Sequence, residues 1–240
     1  MWTERPILWF DSLDSTNNHL KLLEAGGAEH GLVVAARQQT AGRGRMGRSF
    51  LSPEGNLYFS ILLRTDHDPR ELMHLTCWAA TAACDAVQAL TGIRPRIKWV
   101  NDLVYEGKKL GGILTELVLQ GNRARAAIVG IGINCRNVPE GVADMATCLK
   151  DMTGRDIAPQ EMAVALASRL RQGDHMEMPL DRYRADCLTL GSAVKCMDDG
   201  STGIARDITP QGGLIIDLDD GQERIVAAGE VSVRGLYGYL

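Results

Sequence analysis

The stretch that decides the fold is Gln38-Gln39-Thr40-Ala41-Gly42-Arg43-Gly44-Arg45-Met46-Gly47-Arg48, continuing into Ser49-Phe50-Leu51-Ser52-Pro53-Glu54-Gly55. Gly42, Gly44 and Gly47 carry the spacing of a dinucleotide-binding fingerprint, and the apolar run Leu32 to Ala36 before them reads as a strand. That fingerprint works only when the loop opens a helix whose N-terminus faces the pyrophosphate. Here Pro53 and Gly55 stand where that helix would run, which excludes the doubly wound nucleotide fold. A Walker loop is excluded too, because no glycine precedes Lys and Ser or Thr at the required spacing. What remains is an electropositive loop. From His30 to Pro53 there is no acidic residue, while Arg37, Arg43, Arg45 and Arg48 all lie inside. Glycines let backbone approach a ligand, and guanidinium groups grip phosphate or carboxylate oxygens in pairs. A solvated loop could carry the same charges idly, but alternating Gly and Arg without acids favours an anion-binding flap.

Outward from the flap, the elements alternate. Ile7 to Phe10 predicts a short strand, and Asp14 to Asn17 supplies cap-type residues for a helix stopped at Gly26-Gly27. Asn56 to Leu63 predicts a strand. A long helix follows, with Asp68 as cap, Pro69 in its first turn and Gly92 at its end. Arg96–Val100, Gly112–Leu119 and Arg125–Ile133 read as strands, the last two separated by the turn Gly121-Asn122. Helical patches span Pro159–Gln172 and Leu180–Leu188. After Leu190 the texture changes. Ala193–Met197, Gly203–Ile208, Gly213–Leu218, Glu223–Ala227 and Glu230–Val233 are short strand signals punctuated by Asp-Asp-Gly and Gly-Gly, the size of an SH3-like barrel. The boundary falls near Thr189, dividing 1–188 from 189–240.

The 240 residues carry a net charge of −4, with 45 % hydrophobic and 23 % charged residues, so disorder and a wholly phosphate-neutralising surface are excluded. No apolar run approaches the roughly 20 residues of a membrane span, and the N-terminus lacks a secretory layout. The six cysteines, without a C-x-x-C pair, read as buried reduced thiols in a cytoplasmic protein. The five histidines form no zinc pattern, and no metal site in the protein is expected.

Two further constellations carry chemistry. In Lys98-Trp99-Val100-Asn101-Asp102 the alternation around Ile97-Lys98-Trp99 turns Lys98 away from its apolar neighbours. Alone, that fits a solvent-facing lysine; beside the arginine flap, it fits a phosphate or carboxylate clamp. Gly111-Gly112 could lie against a flat ring or form a plain turn. In Gly130-Ile131-Gly132-Ile133-Asn134, glycines inside a strand mark a bulge or a close approach, and Asn134 either meets a ligand or caps a turn.

Together, Ser15-Thr16-Asn17, Gln39 to Arg48, Lys98-Trp99-x-Asn101-Asp102, Lys109-x-Gly111-Gly112-Ile113-Leu114-x-Glu116 and Gly130 to Asn134 resemble the successive signatures of biotin protein ligases, and the tail from Gly203 to Arg234 resembles their C-terminal domain. Val100 stands where that family usually has proline, and Phe50 where it often has tryptophan. The resemblance implies an α+β fold: a mixed-sheet catalytic domain flanked by helices, class II synthetase-like, with a small C-terminal SH3-like β-barrel. It implies that biotin and ATP, accompanied by Mg2+, give biotinyl-5′-AMP, whose acyl group passes to a lysine of a carrier protein. By position, Lys98, Arg43 and Arg45 would be catalytic. Biotin would meet Ser15, Thr16, Asn17, Gln39, Gly44, Gly111, Gly112 and Leu114, together with the three cations. ATP would meet Phe50, Asn134 and Arg234 besides Arg43, Arg45 and Lys98; Asp102 would either stand behind the magnesium or merely complete a turn. The implied partner is the biotin carboxyl carrier domain of acetyl-CoA carboxylase or a similar carboxylase, and a homodimer is compatible. The chain begins near the first catalytic strand, so a short form without a DNA-binding domain, and no DNA or membrane partner, is expected. The alternatives are a lipoate or octanoyl transferase of the same superfamily and a non-catalytic biotin or nucleotide sensor.

Overall fold

The structure, a computed structural model, describes residues 6–227 and the backbone of residues 233–235. Strand β1 (Ile7–Leu13), helix α1 (Thr16–Ala25) and β2 (Val33–Gln39) form a crossover unit that makes β1 and β2 parallel. Next come β3 (Leu57–His67), α2 (Leu75–Thr91), β4 (Arg96–Lys98), β5 (Asp102–Tyr105), β6 (Lys108–Gln120) and β7 (Arg123–Ile133). They complete a seven-stranded mixed sheet in the order β1-β2-β3-β7-β6-β5-β4, every other pairing in it being antiparallel. Helices α3 (Leu149–Thr153), α4 (Pro159–Gln172) and α5 (Leu180–Asp186) follow. The chain then forms β8 (Ala193–Cys196), β9 (Thr202–Ile208), β10 (Leu214–Leu218), β11 (Glu223–Val226) and β12 (Val233–Gly235), a five-stranded antiparallel sheet in the order β11-β10-β9-β8-β12. Among the described residues no pairing joins its two ends; Glu230 to Ser232 of the expected last strand lie outside them.

Strand alternation sorts the large sheet into two unlike faces. On β7, Ala127, Val129, Ile131 and Ile133 enter the main core with α2 and α4, while Ala126 and Ile128 pack in a smaller cluster with Leu20 of α1. The next residues on that second face are Gly130 and Gly132. At these two positions the sheet carries no side chain of its own, and Asn17 at the start of α1 and the Phe50 ring press close over it. Register then lines up Tyr58, Gly132, Gly112, Asp102 and Lys98 as one row across β3, β7, β6, β5 and β4. This row is the floor of the functional site.

Sequence expectation and structure differ in three places. Asp68 caps only a single tight turn, Pro69–Leu72, by accepting from the Arg70 amide, and α2 starts separately at Leu75. Leu72 and Leu75 are both buried, and apolar residues three apart suit a tight turn as well as a helix. Strand β5 was not expected; it folds back on β6 through Glu106 and Gly107, both with positive φ, a hairpin turn that twists with its strands. The short α3 was not expected either.

The second sheet shares the main core rather than building its own: Val194, Cys196, Ala205, Ile208, Leu214 and Ile216 belong to the same apolar cluster as α2. Polar contacts reinforce the joint. The Trp99 indole N–H donates to the Gly212 carbonyl at 3.0 Å and the Trp99 amide to Thr189 Oγ1 at 2.9 Å. Arg184 forks onto Asp207 at 2.7 and 2.8 Å. All six cysteines are free and buried, and burial pushes the Cys77 and Cys135 thiols up to about 12. No helix among the described residues is long and apolar enough to cross a membrane.

A Trp99→Phe variant strands the buried Gly212 carbonyl and should lose about 1–3 kcal/mol of unfolding free energy in denaturant titration. Because the core is shared, wild-type calorimetry should show a single transition; two resolved transitions would contradict that joint.

Candidate functional site

Above the glycine row lies a cavity of about 550 Å³, within the usual range for small-ligand sites. Its walls come from α1's first turn, the loop between β2 and β3, the end of β4 and the β5–β6 hairpin. Five cations line it, Arg43, Arg45, Arg48, Lys98 and Lys109, against one carboxylate, Asp102. A protein of net charge −4 thus concentrates positive charge in one concavity.

The β2–β3 loop is a folded flap. Gly44 donates to the Arg48 carbonyl at 2.7 Å, Phe50 donates to the Gly42 carbonyl at 2.9 Å, and Met46 and Gly47 turn the tip with positive φ. Gly42 is required by crowding: a Cβ there would sit 2.3 Å from the Phe50 carbonyl. The flap returns Phe50 to the sheet, where its ring lies so close to β7 that a Cβ at Gly132 would be 2.5 Å away. A Cβ at Gly130 would likewise fall 2.4 Å from the Asn17 side chain. The two glycines of this strand therefore mark close approaches, by Asn17 and by Phe50.

A buried polar network ties α1 to the flap. Gln39 Oε1 accepts from the Thr16 amide at 2.9 Å, and Gln39 Nε2 donates to Ser52 Oγ at 2.9 Å. Ser60 donates to Asn17 Oδ1 at 2.6 Å, fixing the Asn17 amide so that its Nδ2 reaches Glu116 at 2.9 Å. Burial alone would raise the Glu116 carboxyl, but hydrogen bonds from Lys21 and Asn17 and the charges of Lys21 and Arg43 hold it below its usual value.

Arg45 is the most telling cation. Its Nη1 donates to Asn101 Oδ1 at 3.1 Å, while its buried Nη2 has no hydrogen-bond partner. Burial also pushes its pKa below the usual value. A buried guanidinium with an unmet donor is costly until an anion arrives. Lys98 closes the far end of the row, with Asp102 directly opposite in register. Lys109 Nζ pairs with Asp102 at 2.7 Å and lies 5.8 Å from the Phe50 ring centroid.

Of the residues singled out in the sequence, Ser15, Thr16, Asn17, Gln39, Arg43, Gly44, Arg45, Phe50, Lys98, Gly112 and Leu114 line this cavity. Gly111 does not: its Cβ position is blocked by the Gly132 carbonyl at 2.3 Å, so it serves strand packing. Nor does Asn134, whose amide is buried on the Thr147 carbonyl at 3.0 Å. Arg234 lies in β12, whose side chains are outside the described atoms. Val100 follows Trp99 through a cis peptide. Sequence reasoning passed over Lys109 and Asn101 as site residues and gave Arg48, though counted in the flap, no ligand of its own. The signal for Lys109 was the run Lys108-Lys109 next to the glycine pair, but only the unexpected β5 hairpin brings it under the flap.

Residues 9–134 match the model of the biotin/lipoate A/B protein ligase family, and residues 189–234 match that of the biotin protein ligase C terminal domain. The bifunctional ligase/repressor BirA of Bacillus subtilis is 33 % identical over 92 % of this chain and 72 % of its own length. The biotin–[acetyl-CoA-carboxylase] ligase of Mycobacterium tuberculosis is 34 % identical, over 90 % of this chain and 85 % of that one. A solved structure of the biotin protein ligase from Aquifex aeolicus, in complex with biotin and ATP, superposes with a TM-score of 0.81 at 32 % identity, covering 96 % of this chain and 99 % of that one. With the flap, the glycine floor and the convergent cations in place, the chain belongs to the biotin protein ligases.

Proposed function

We propose that this cavity joins biotin to ATP and passes the biotinyl group to a lysine of a carrier protein, with Arg45, Lys98 and Lys109 holding the reacting phosphate. Membership in the family carries the overall reaction, ATP-dependent biotinylation. The observation that carries the residue assignment is the unpartnered Arg45 Nη2, buried in a cavity lined by four further cations. Biotin's carboxylate attacks the α-phosphorus of ATP and pyrophosphate leaves; the carrier lysine's amine then attacks the acyl carbon and AMP leaves. Charge crowds at the same phosphate in both steps, so fixed cations that need no reorganisation lower both barriers. Ser15, Thr16, Asn17 and Gln39 offer polar atoms at one end of the cavity, and Gly112 and Leu114 offer backbone and apolar surface for a ring. Phe50 offers an aromatic face. The folded flap excludes water from the mixed anhydride.

Magnesium enters with the nucleotide. Asp102, the carboxylate among the lining residues, is held by Lys109 at 2.7 Å, so the residues present offer no protein cage, and phosphates and water would supply most of its ligands. The carrier of acetyl-CoA carboxylase is the acceptor we favour, since the M. tuberculosis relative is named for that substrate. Incubation with ATP and either biotin or lipoate, followed by mass measurement of a carrier domain, tests the reading. A biotin mass on one carrier lysine is expected; lipoate labelling alone would transfer the assignment to the other branch of the family.

Lys98→Ala and Lys109→Ala should each slow adenylate formation by at least about a hundredfold in a pyrophosphate-release assay, the usual scale for one lost transition-state donor, with unfolding midpoints close to wild type. Near-normal turnover in either would remove that lysine from the site. In Arg45→Gly the intermediate should escape and label surface lysines of bystander proteins, read by blotting. Labelling confined to the carrier would argue against containment by the flap.

A further inference from the structure

We propose that Glu116 is the latch of the flap: a positioning residue that sits outside the cavity and holds Arg43, and through it the arm that carries Arg45. This rests on the reading above only for its consequence, since the latch itself is a property of the protein without ligand. Glu116 lies on β6 two residues beyond Leu114, on the same sheet face, at the edge of the site. Its side chain is 15 % exposed and meets three side chains from two elements, α1 and the flap. Lys21 of α1 reaches Oε1 at 2.7 Å, Asn17 Nδ2 reaches Oε2 at 2.9 Å, and Arg43 Nη2 of the flap lies 3.3 Å from Oε1. Arg43 also donates from Nη1 to Asn18 Oδ1 at 3.2 Å, again on α1.

The arrangement divides labour between two arginines of one loop. Arg43 faces a fixed carboxylate and is neutralised within the fold. Arg45, two residues on, is left with an open donor inside the cavity. One ties the flap down and the other waits for the ligand. Because Asn17 shares the same carboxylate, closure of the flap and the orientation of a cavity-lining amide are set together. Arg43 is half exposed, so the tie is modest: losing an exposed ion pair should open the flap roughly fivefold more often, the upper end for such pairs. A tie of that size suits a lid that must release product as well as retain an intermediate.

The test is amide hydrogen exchange of ligand-free wild type, Glu116→Gln, Arg43→Gln, the double variant and Lys21→Gln. Peptides covering 40–50 should exchange about fivefold faster in Glu116→Gln and in Arg43→Gln, and no faster again in the double variant. Lys21→Gln should not speed the flap, because Arg43 keeps its carboxylate; equal acceleration there would reduce Glu116 to an ordinary structural ion pair. Added salt should loosen the wild-type flap and leave the Glu116→Gln flap unchanged. Unaltered flap exchange in Glu116→Gln, with β7 peptides as the folding control, overturns the latch. A second arm follows escape of bound biotinyl-adenylate, expected to rise by the same factor. If exchange responds but wild type makes no adenylate, the latch stands and the proposed function falls.

Discussion

Cations brought together in one cavity repel one another: at about 6 Å, with an effective dielectric near 20, each like pair costs on the order of 3 kcal/mol. Holding Arg43, Arg45, Arg48, Lys98 and Lys109 around one space is the constraint to which the rest of this structure answers. Two carboxylates relieve part of it. Asp102 takes Lys109, and Glu116 takes Arg43 and Lys21. Arg45 keeps an unmet donor, so the cavity retains a demand for negative charge. A ligand that brings a phosphate into contact with a carboxylate satisfies that demand, which is the chemistry of an acyl-adenylate.

The scaffold supplies rigidity where the charges need it. Lys98 ends a three-residue edge strand that pairs in the sheet with β5 alone, too little by itself to hold the residue in place. Its far side is held by the segment leading into the second sheet: the Leu188 amide donates to the Ile97 carbonyl at 2.9 Å, and Thr189 and Gly212 anchor Trp99. The C-terminal sheet thereby acts on the site from behind, through the residue next to Lys98. On the other side of the cavity, glycines do the opposite work. Side chains at 130 and 132 would collide with Asn17 and Phe50, so their absence lets the helix and the flap meet the sheet.

Much of this was legible in the sequence, for local reasons. The flap is one contiguous segment, so its charge and glycine spacing show directly. The pleat around Lys98 follows from period-two alternation, and the strands of the C-terminal sheet show through the turn residues that separate them. Ser15 to Asn17 read by residue type only as helix-cap residues, and their place in the site, like that of Gln39, came through the resemblance to biotin protein ligases. What stayed hidden depends on tertiary contact. Asn134 and Gly111 sit inside site motifs yet face Thr147 and the β7 backbone, which no spacing reveals. Lys109 looks like a turn lysine until the β5 hairpin, with its bulge at Leu103/Val104, swings it beneath Phe50. Glu116 reads as one more charge on a half-exposed strand until Arg43 arrives from 73 positions away.

The central claim is that cations from the flap, β4 and β6 meet at a single phosphate. The most direct measurement is a crystal structure with biotinyl-5′-AMP or a non-hydrolysable analogue bound. The account predicts the phosphate oxygens within about 3 Å of the Arg45 guanidinium and of the Lys98 and Lys109 ammonium groups. A phosphate seated away from these three side chains, with the Arg45 Nη2 still unpartnered, would contradict it.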